Sequence, residues 1–437
     1  MPYDSRSRRS FLKNSAVALA AAAPLAKAAP SDRVNMGFIG IGIRGNHLLR
    51  TFTQFPDVNP VAVCDLYDGY LETAREITNP KIATTRDYRA ILDRKDIDAV
   101  TIATPDHWHT RILLEAVAAG KDVYCEKPMT WSVDEGNRIV AAMKKSDRIV
   151  QIGSEGKSSA NTAKAREIVK SGVLGKINLV RVTDYRNSKD GAWVYPIPPD
   201  ASLETVDWNR FLGSTAKIPW SPERFFRWRC WWEYSGGIAT DMFVHFLTTL
   251  HEVLDARRPR SAVANGGIYK WKDGRAVPDV FTAVFEYPGD YQVQLMMNFD
   301  STKGAVQGRG MTIMGSDATL VVGGRDGGLV LYREDPNKVV WQQAVWFPKR
   351  LREQFDAEQK AKPMQPVPPE MEVIEVPRDP NRLTHMGMFL KSVKDRSPSV
   401  EDAECGHNAA AGAHMANYAF RHRCVAGLDA AGKLVAL

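Results

Sequence analysis

From Val34 to Ser154 the chain alternates short apolar runs with amphipathic stretches. The runs are Val34–Ile39, Val61–Cys64, Ala99–Ala103, Asp122–Cys125 and Ile149–Ile152. They are continuous and rich in Val and Ile, as expected of strands covered on both faces in a parallel sheet. Between them, Arg44–Gln54, Asp68–Ile77, His109–Ala119 and Val133–Lys144 place apolar residues at helical spacing. Such repeated alternation with short links predicts βαβ units and a doubly wound sheet over residues 32–155.

After Gly156 the pattern changes. A helix at Ala160–Ser171 precedes a strand at Ile177–Tyr185 and a Pro-rich loop at Tyr195–Pro199. Strands follow at Ala262–Tyr269, Val280–Tyr287, Gln292–Asp300, Gly310–Gly315 and Leu329–Tyr332, with few helices between them. The expected fold class is α/β: an N-terminal Rossmann domain, then a C-terminal α+β domain with a mostly antiparallel open sheet over 156–437. Lys349–Pro369 is charged and Pro-rich and reads as a surface loop. The segments Thr384–Lys394 and Glu401–Arg423 read as helices.

The first residues read as an address rather than as fold. Arg8-Arg9-Ser10-Phe11-Leu12-Lys13 is followed by the apolar stretch Ala16–Ala23 and by the small-x-small site Ala26-Lys27-Ala28. This is an export signal over 1–28, its paired arginines matching the twin-arginine pattern. The run is too short to anchor the chain in a bilayer. A periplasmic protein handled by the twin-arginine export machinery is expected. Cleavage after Ala28 removes five basic residues and one acidic one, so the formal charge of +7 falls to +3. The basicity therefore gives no reason to expect nucleic acid. Hydrophobic content of 44% and charged content of 25% are those of an ordinary globular chain. Of the five cysteines, Cys64 and Cys125 end apolar runs. Cys405 and Cys424 would lie about 28 Å apart along one helix, so no disulfide is required.

Gly40-Ile41-Gly42-Ile43-Arg44-Gly45 directly follows the first strand and opens a helix. Gly40 permits the tight turn, Gly42 admits a pyrophosphate close to the backbone, and Gly45 lets helix and strand pack. Ile43 and Arg44 lie at the helix start, where unpaired N–H groups favour phosphate. Asp65 falls twenty residues after Gly45, at the end of the second strand, where a carboxylate accepts ribose hydroxyls. Leu66 and Tyr67 follow it with no adjacent Arg or Lys for a 2′-phosphate. NAD is expected ahead of NADP.

Two further motifs end strands at the side where doubly wound sheets bind ligands. Thr104-Pro105-Asp106-His107-Trp108-His109 ends the third, and Glu126-Lys127-Pro128 the fourth. Lys127 there could stabilise an alkoxide as hydride leaves. Asp241 and His245 are four apart, on one face of a helix, and histidine is the natural base for a sugar hydroxyl. Asp241 could orient His245 or bind a neighbouring hydroxyl. His107 and His109 have no convincing third ligand, so no metal is expected. His109 is placed instead beside the nicotinamide. Arg227, Trp228, Arg229, Trp231 and Trp232 form the densest aromatic–basic cluster. Arg227, Trp228 and Trp231 are the substrate candidates, of which one or two are expected to line a sugar pocket.

Taken with Gly236-Gly237-Ile238-Ala239-Thr240-Asp241-Met242-Phe243-Val244-His245, these motifs resemble the Gfo/Idh/MocA oxidoreductase family, in its twin-arginine-exported, glucose–fructose oxidoreductase-like branch. The resemblance implies Lys127, Asp241 and His245 as catalytic positions. Its cofactor set is Gly40, Gly42, Ile43, Arg44, Gly45, Asp65, Thr104, Pro105, His109, Glu126 and Lys127. It also implies a small carbohydrate substrate and a homo-oligomer. Export to a compartment poor in free NAD suggests a tightly held, internally recycled cofactor. A redox-assisted glycosidase and a non-catalytic sugar-binding protein are the alternatives.

Overall fold

The structure is a computed structural model that describes residues 33–301, 310–323, 328–337, 346–377 and 379–437. The export signal expected at 1–28 lies outside the described residues.

The first domain is the expected one. Strands β1 (Val34–Ile39), β2 (Val58–Cys64), β3 (Ala83–Thr85), β4 (Ala99–Ile102), β5 (Asp122–Cys125) and β6 (Val150–Ile152) form a parallel sheet in the order β3-β2-β1-β4-β5-β6. Helices α1 (Ile43–Phe52), α2 (Asp68–Ile77), α3 (Arg89–Leu92), α4 (Asp106–Ala118) and α5 (Val133–Met143) connect them. Apolar clusters cover both faces of the sheet, which is why its strands carry no polar alternation. The order reverses between β1 and β4, so a crevice opens beyond their carboxyl ends. Every motif singled out in this half of the sequence reaches that edge.

The second domain contains α6 (Ala160–Lys170), β7 (Ile177–Tyr185), α7 (Trp208–Leu212), α8 (Pro222–Phe226), a π-helical turn at Ala239–Phe243, and α9 (Val244–Leu254). Strands β8 (Ser261–Gly267), β9 (Val280–Tyr287), β10 (Tyr291–Asn298), β11 (Gly310–Gly315), β12 (Ala318–Val322) and β13 (Leu329–Arg333) follow. Then come α10 (Lys349–Lys360), β14 (Met371–Ile374), α11 (His385–Asp395), α12 (Ala403–His422), β15 (Ala426–Leu428) and β16 (Leu434–Ala436). The second sheet runs β14-β13-β12-β11-β7-β10-β9-β8-β15-β16. Only the β7–β10 pair is parallel among its described pairings. One face carries the core, as the alternation of buried and half-buried residues in β9 and β10 shows.

One expectation is corrected. Lys349–Pro369 is not all loop, because Lys349–Lys360 forms α10. Its Leu, Arg, Glu, Gln and Lys residues are strong helix formers, and the prolines begin only at Pro363. Among the described residues no helix is long and apolar enough to cross a membrane, and all five cysteines are free thiols.

The chain also crosses back. Helix α11 buries Met386, Phe389 and Leu390 in the Rossmann cluster beside Phe38, Phe52 and Tyr124. The Phe389 ring stands edge-on to Phe52 and Tyr124, at 6.2 and 5.7 Å. His385 bonds Ser158 Oγ and the Ile152 carbonyl, while Gln151 donates to the His385 carbonyl. Phe389→Ala should therefore destabilise the first domain by about 3 kcal/mol or more, measured by urea unfolding followed on that domain. A variant as stable as the parent would show that α11 is not part of that core.

Candidate active site

The glycine loop has the shape a pyrophosphate needs. Gly40 sits at φ +85°, and a Cβ there would meet the Ala103 carbonyl at 2.7 Å. A Cβ on Gly45 would stand 1.8 Å from the Gly40 oxygen. At Gly42 it would project into the groove, with only Tyr70 near, at 3.6 Å. Asp65 holds the loop from below: its carboxylate accepts the Ile41 amide at 2.6 Å and the Tyr67 amide at 3.0 Å. Burial pushes that carboxyl up to about 6, against the pull of these amides. Gly40, Gly42, Ile43, Asp65, Thr104 and Pro105 line one continuous groove. Thr104 Oγ1 lies buried there with no hydrogen-bond partner among the described residues. Loop, carboxylate and orphan hydroxyl together fit a dinucleotide.

The second domain supplies the opposite wall. Residues 200–213 are fastened across β2, α2 and the β3–α3 link. Asp68 and Asp207 amides bond the Thr205 and Leu66 carbonyls, and Tyr67 Oη donates to Asp200 at 2.5 Å. Arg86 donates to the Glu204 carbonyl, and Arg210 pairs with Asp87 at 2.7 Å. Trp108 Nε1 and His107 Nε2 both contact the Phe211 carbonyl at 2.9 Å. Phe211 of this strap, with Phe225, Phe226, Trp228 and Arg229, faces the groove. Arg86, Arg89 and Arg210 line it too, each paired with a carboxylate. Arg86 and Arg89 are three apart, but Arg210 is far from both in the sequence, so only the fold brings the three together.

Lys127 and Asp241 meet across the domain boundary. Lys127 Nζ donates to the Asp241 carboxylate and to its carbonyl, both at 2.7 Å, with side chains 10% and 13% exposed. Arg229 Nε donates to the same carboxylate at 3.2 Å and Trp193 Nε1 at 3.1 Å. Trp193 reaches it from a left-handed backbone at φ +62°, a conformation a bulky side chain takes only under constraint. Burial alone would raise the Asp241 carboxyl, but Lys127 and Arg229 hold it far below the usual carboxylate range. It is a fixed negative charge. The π turn that carries it is a device common at functional sites.

His245 begins the next turn, near Lys127 and Asp241. Burial first, then the Lys127 charge, pull its ring down to about 3, so it is neutral at ordinary pH. Asp241 does not orient it by a hydrogen bond, since its oxygens serve Lys127, Arg229 and Trp193. Arg44 and Glu126, both expected at the cofactor, pair with each other at 2.6 Å, and Arg44 also pairs with Glu155.

Three expectations are corrected. His109 is 1% exposed and its two nitrogens contact the Thr104 and Pro128 carbonyls, at 2.8 and 2.7 Å. It clamps the ends of β4 and β5 together and does not face the groove. Arg227 donates its Nε to the Tyr195 carbonyl at 2.8 Å and is not among the residues that line the groove. Trp231 is packed in the core beneath Arg224. Of the aromatic–basic cluster, Trp228 and Arg229 line the groove, Arg229 lying 4.2 Å above the Trp228 ring. Trp193 and Tyr195 are further site residues without a sequence motif of their own, and Asp106, inside the Thr104–His109 motif, is a third. No group of three or more metal-ligating side chains occurs among the described residues.

Asp241→Asn would strip two buried cations of their counter-charge and should cost about 3 kcal/mol near neutral pH. A carboxyl depressed by folding adds stability that is complete above its unfolded value of about 3.8 and is lost as pH falls below it. The gap between variant and parent in thermal unfolding should therefore narrow on acidification; a gap that stays constant contradicts the assignment.

Residues 34–154 match the family model described as "Oxidoreductase family, NAD-binding Rossmann fold", and residues 210–321 match the "GFO/IDH/MocA C-terminal domain". Inositol 2-dehydrogenase of Salmonella typhimurium is 30% identical over 154 residues, 35% of this chain and 46% of that protein. A glycosyl hydrolase family 109 protein of Shewanella baltica is 29% identical over 154 residues, 33% of this chain and 34% of that protein. The chain thus spans less than half the length of either relative. Levoglucosan dehydrogenase, solved with NADH and levoglucosan, shares the fold at a TM-score of 0.63 and 16% identity, over 90% of this chain and 98% of that one. With two models of one family covering just over half its length, the chain belongs to the Gfo/Idh/MocA oxidoreductase family.

Proposed function

We propose that this protein is a nicotinamide-dependent oxidoreductase that takes hydride from a CH–OH group of a sugar or sugar-like substrate. The observation that carries the reading is the Lys127–Asp241–Arg229 cluster, set beside a dinucleotide-shaped groove at the carboxyl ends of the strands. When bound, the dinucleotide supplies the hydride acceptor. Glycine-loop amides and Asp65 hold it, while the aromatic wall excludes water. Lys127, paired with Asp241, donates a hydrogen bond to the substrate oxygen and stabilises developing alkoxide. The neutral ring of His245, with no side-chain hydrogen bond among the described residues, accepts the hydroxyl proton as it leaves. Trp228 offers an apolar face to a sugar ring.

The strap at 200–213 supports a second element of the proposal, a cofactor that stays bound and is recycled in place. One wall of the groove is tied to the first domain by six or more hydrogen bonds and ion pairs. This suits the export expected from residues 1–28, since the twin-arginine route carries folded, loaded proteins. A periplasmic location and a homo-oligomer belong to the same reading. The resemblance to the family 109 protein favours one alternative, in which a sugar is oxidised, cleaved and reduced again.

Purified protein, denatured and cleared, should release nicotinamide in near one-to-one amount; release of none, with weak binding of added NAD, would sink the resident-cofactor idea. Lys127→Ala should lower turnover on a sugar panel at least about a hundredfold while the dinucleotide remains bound. Unchanged turnover would remove Lys127 from the chemistry. Aryl glycosides separate the two enzyme readings, because only the glycosidase frees the phenol without a second sugar.

A further inference from the structure

Three consecutive residues of the β8–β9 link, Arg275-Ala276-Val277, brace the three second-domain segments that meet at Asp241. The side chain of Arg275 is fully buried, and its Nη2 donates to the Ala192 carbonyl at 2.7 Å, one residue before Trp193. The Ala276 and Val277 amides both donate to the Cys230 carbonyl, at 2.9 and 3.3 Å, one residue after Arg229. Val277 packs against Gly237, where a Cβ would stand 3.0 Å from the Val277 Cβ. Gly237 lies two residues before the π turn that carries Asp241. Asp273 holds the guanidinium itself, accepting from Nε and from Nη2 at 2.8 Å each.

The Arg275 contact has the most leverage on the chemistry. The Ala192 carbonyl and the Trp193 N–H belong to one rigid peptide plane. Arg275 pins its carbonyl end, and the Asp190 carbonyl accepts its N–H end at 3.1 Å. With that plane fixed, Trp193 stays at φ +62°, a conformation that a bulky residue abandons unless its surroundings over-determine it. From there, its ring edge-on to Phe299 at 4.9 Å, the indole donates to Oδ2 of Asp241. Lys127 and Arg229 both donate to Oδ1. An indole on Oδ2 fixes the plane of the carboxylate. Without it the carboxylate is free to turn, and the lysine it holds moves with it.

We propose that Arg275 is a positioning residue for the reaction. It acts through Trp193 to hold the Asp241 carboxylate in the orientation that aims Lys127 at the substrate oxygen. The proposal rests on the hydride-transfer reading above. Arg275 is not among the residues that line the groove, so it works at one remove from the reacting atoms. The bonds to Cys230 come from backbone amides and persist whatever side chain stands at 275. The share that belongs to the guanidinium therefore runs through Ala192 and Trp193. A catalytic group misplaced by an ångström loses up to about a hundredfold in rate, so a distant brace of this kind acts on turnover.

Indole N–H resonances and steady-state rates test this on the full chain. Of the eleven tryptophans, the signal missing from Trp193→Phe is that of Trp193, held downfield by its bond to a buried carboxylate. In Arg275→Met that one signal should move upfield. Arg275→Lys keeps a donor for the Ala192 carbonyl and should bring it most of the way back. A signal that stays in place in Arg275→Met overturns the proposal, with no nucleotide or sugar needed. Turnover on the sugar panel gives the second readout. Arg275→Met should lower kcat about tenfold to a hundredfold. KM and the dissociation constant for NAD⁺ should stay within about twofold of the parent. Arg275→Met combined with Trp193→Phe should be no slower than Trp193→Phe alone, since both break the same link. Losses that multiply, or a loss confined to KM or to NAD⁺ binding, mark a residue that only supports the fold; they overturn the proposal and leave the hydride-transfer reading standing. Should Arg275→Met not fold, Arg275→Lys with and without Trp193→Phe carries the same comparisons on its smaller shift and smaller loss. A parent that oxidises no sugar of the panel while nicotinamide is bound takes down the hydride-transfer reading, and this proposal with it.

Discussion

The ion pair between Lys127 and Asp241 is the contact on which the rest of the site depends. It joins the end of a Rossmann strand to a turn of the second domain, with little water around it. Burying two charges is costly unless geometry and further hydrogen bonds are good, and removing one partner leaves the other stranded. Here the geometry is good: Arg229 and Trp193 complete the carboxylate's shell, and the lysine holds both the carboxylate and the carbonyl of one residue. This contact ties the two domains together, and the strap at 200–213 ties them again beside the groove.

The site divides its labour between rigid charge and rigid shape. Shape comes from the glycine loop, where two Cβ atoms would collide with backbone and a third would fill the cradle. Charge comes from groups whose ionisation is settled by their neighbours: an acid driven down by two cations, and a histidine driven down by burial. The clamp formed by His109 on two strand ends keeps both sets in register. A pocket built this way is organised before any substrate arrives, so little binding energy goes into arranging it.

Much of this was legible in the chain because the relevant signals are local. The strands at Val34–Ile39, Asp122–Cys125 and Val280–Tyr287 appear where their apolar runs lie, and the glycine loop opens a helix as its spacing requires. Lys127 and Asp241 were legible as motif residues, though not as partners, since 114 positions separate them. What stayed hidden depends on long-range packing. Trp231 and Arg227 carry the composition of a sugar site, yet the fold spends them on core and carbonyl. At His109 a helix start beside a strand end suggests a ligand, and nothing local says that two carbonyls will claim the ring. Asp106 lies inside the Thr104–His109 motif, but its distinction is its burial, which only packing creates. In α10 the charge and proline of the surrounding segment mask its own helix-forming residues.

The return of α11 to the first domain has a consequence for how the protein comes into being. The Rossmann sheet is spelled out by the first third of the chain, but Phe389 and its neighbours, which close one face of it, are translated near the end. A ribosome therefore releases most of the polypeptide before the earliest-made domain can finish packing. Packing of that face waits for α11, and a chain cut short before α11 lacks the cover for its own first sheet.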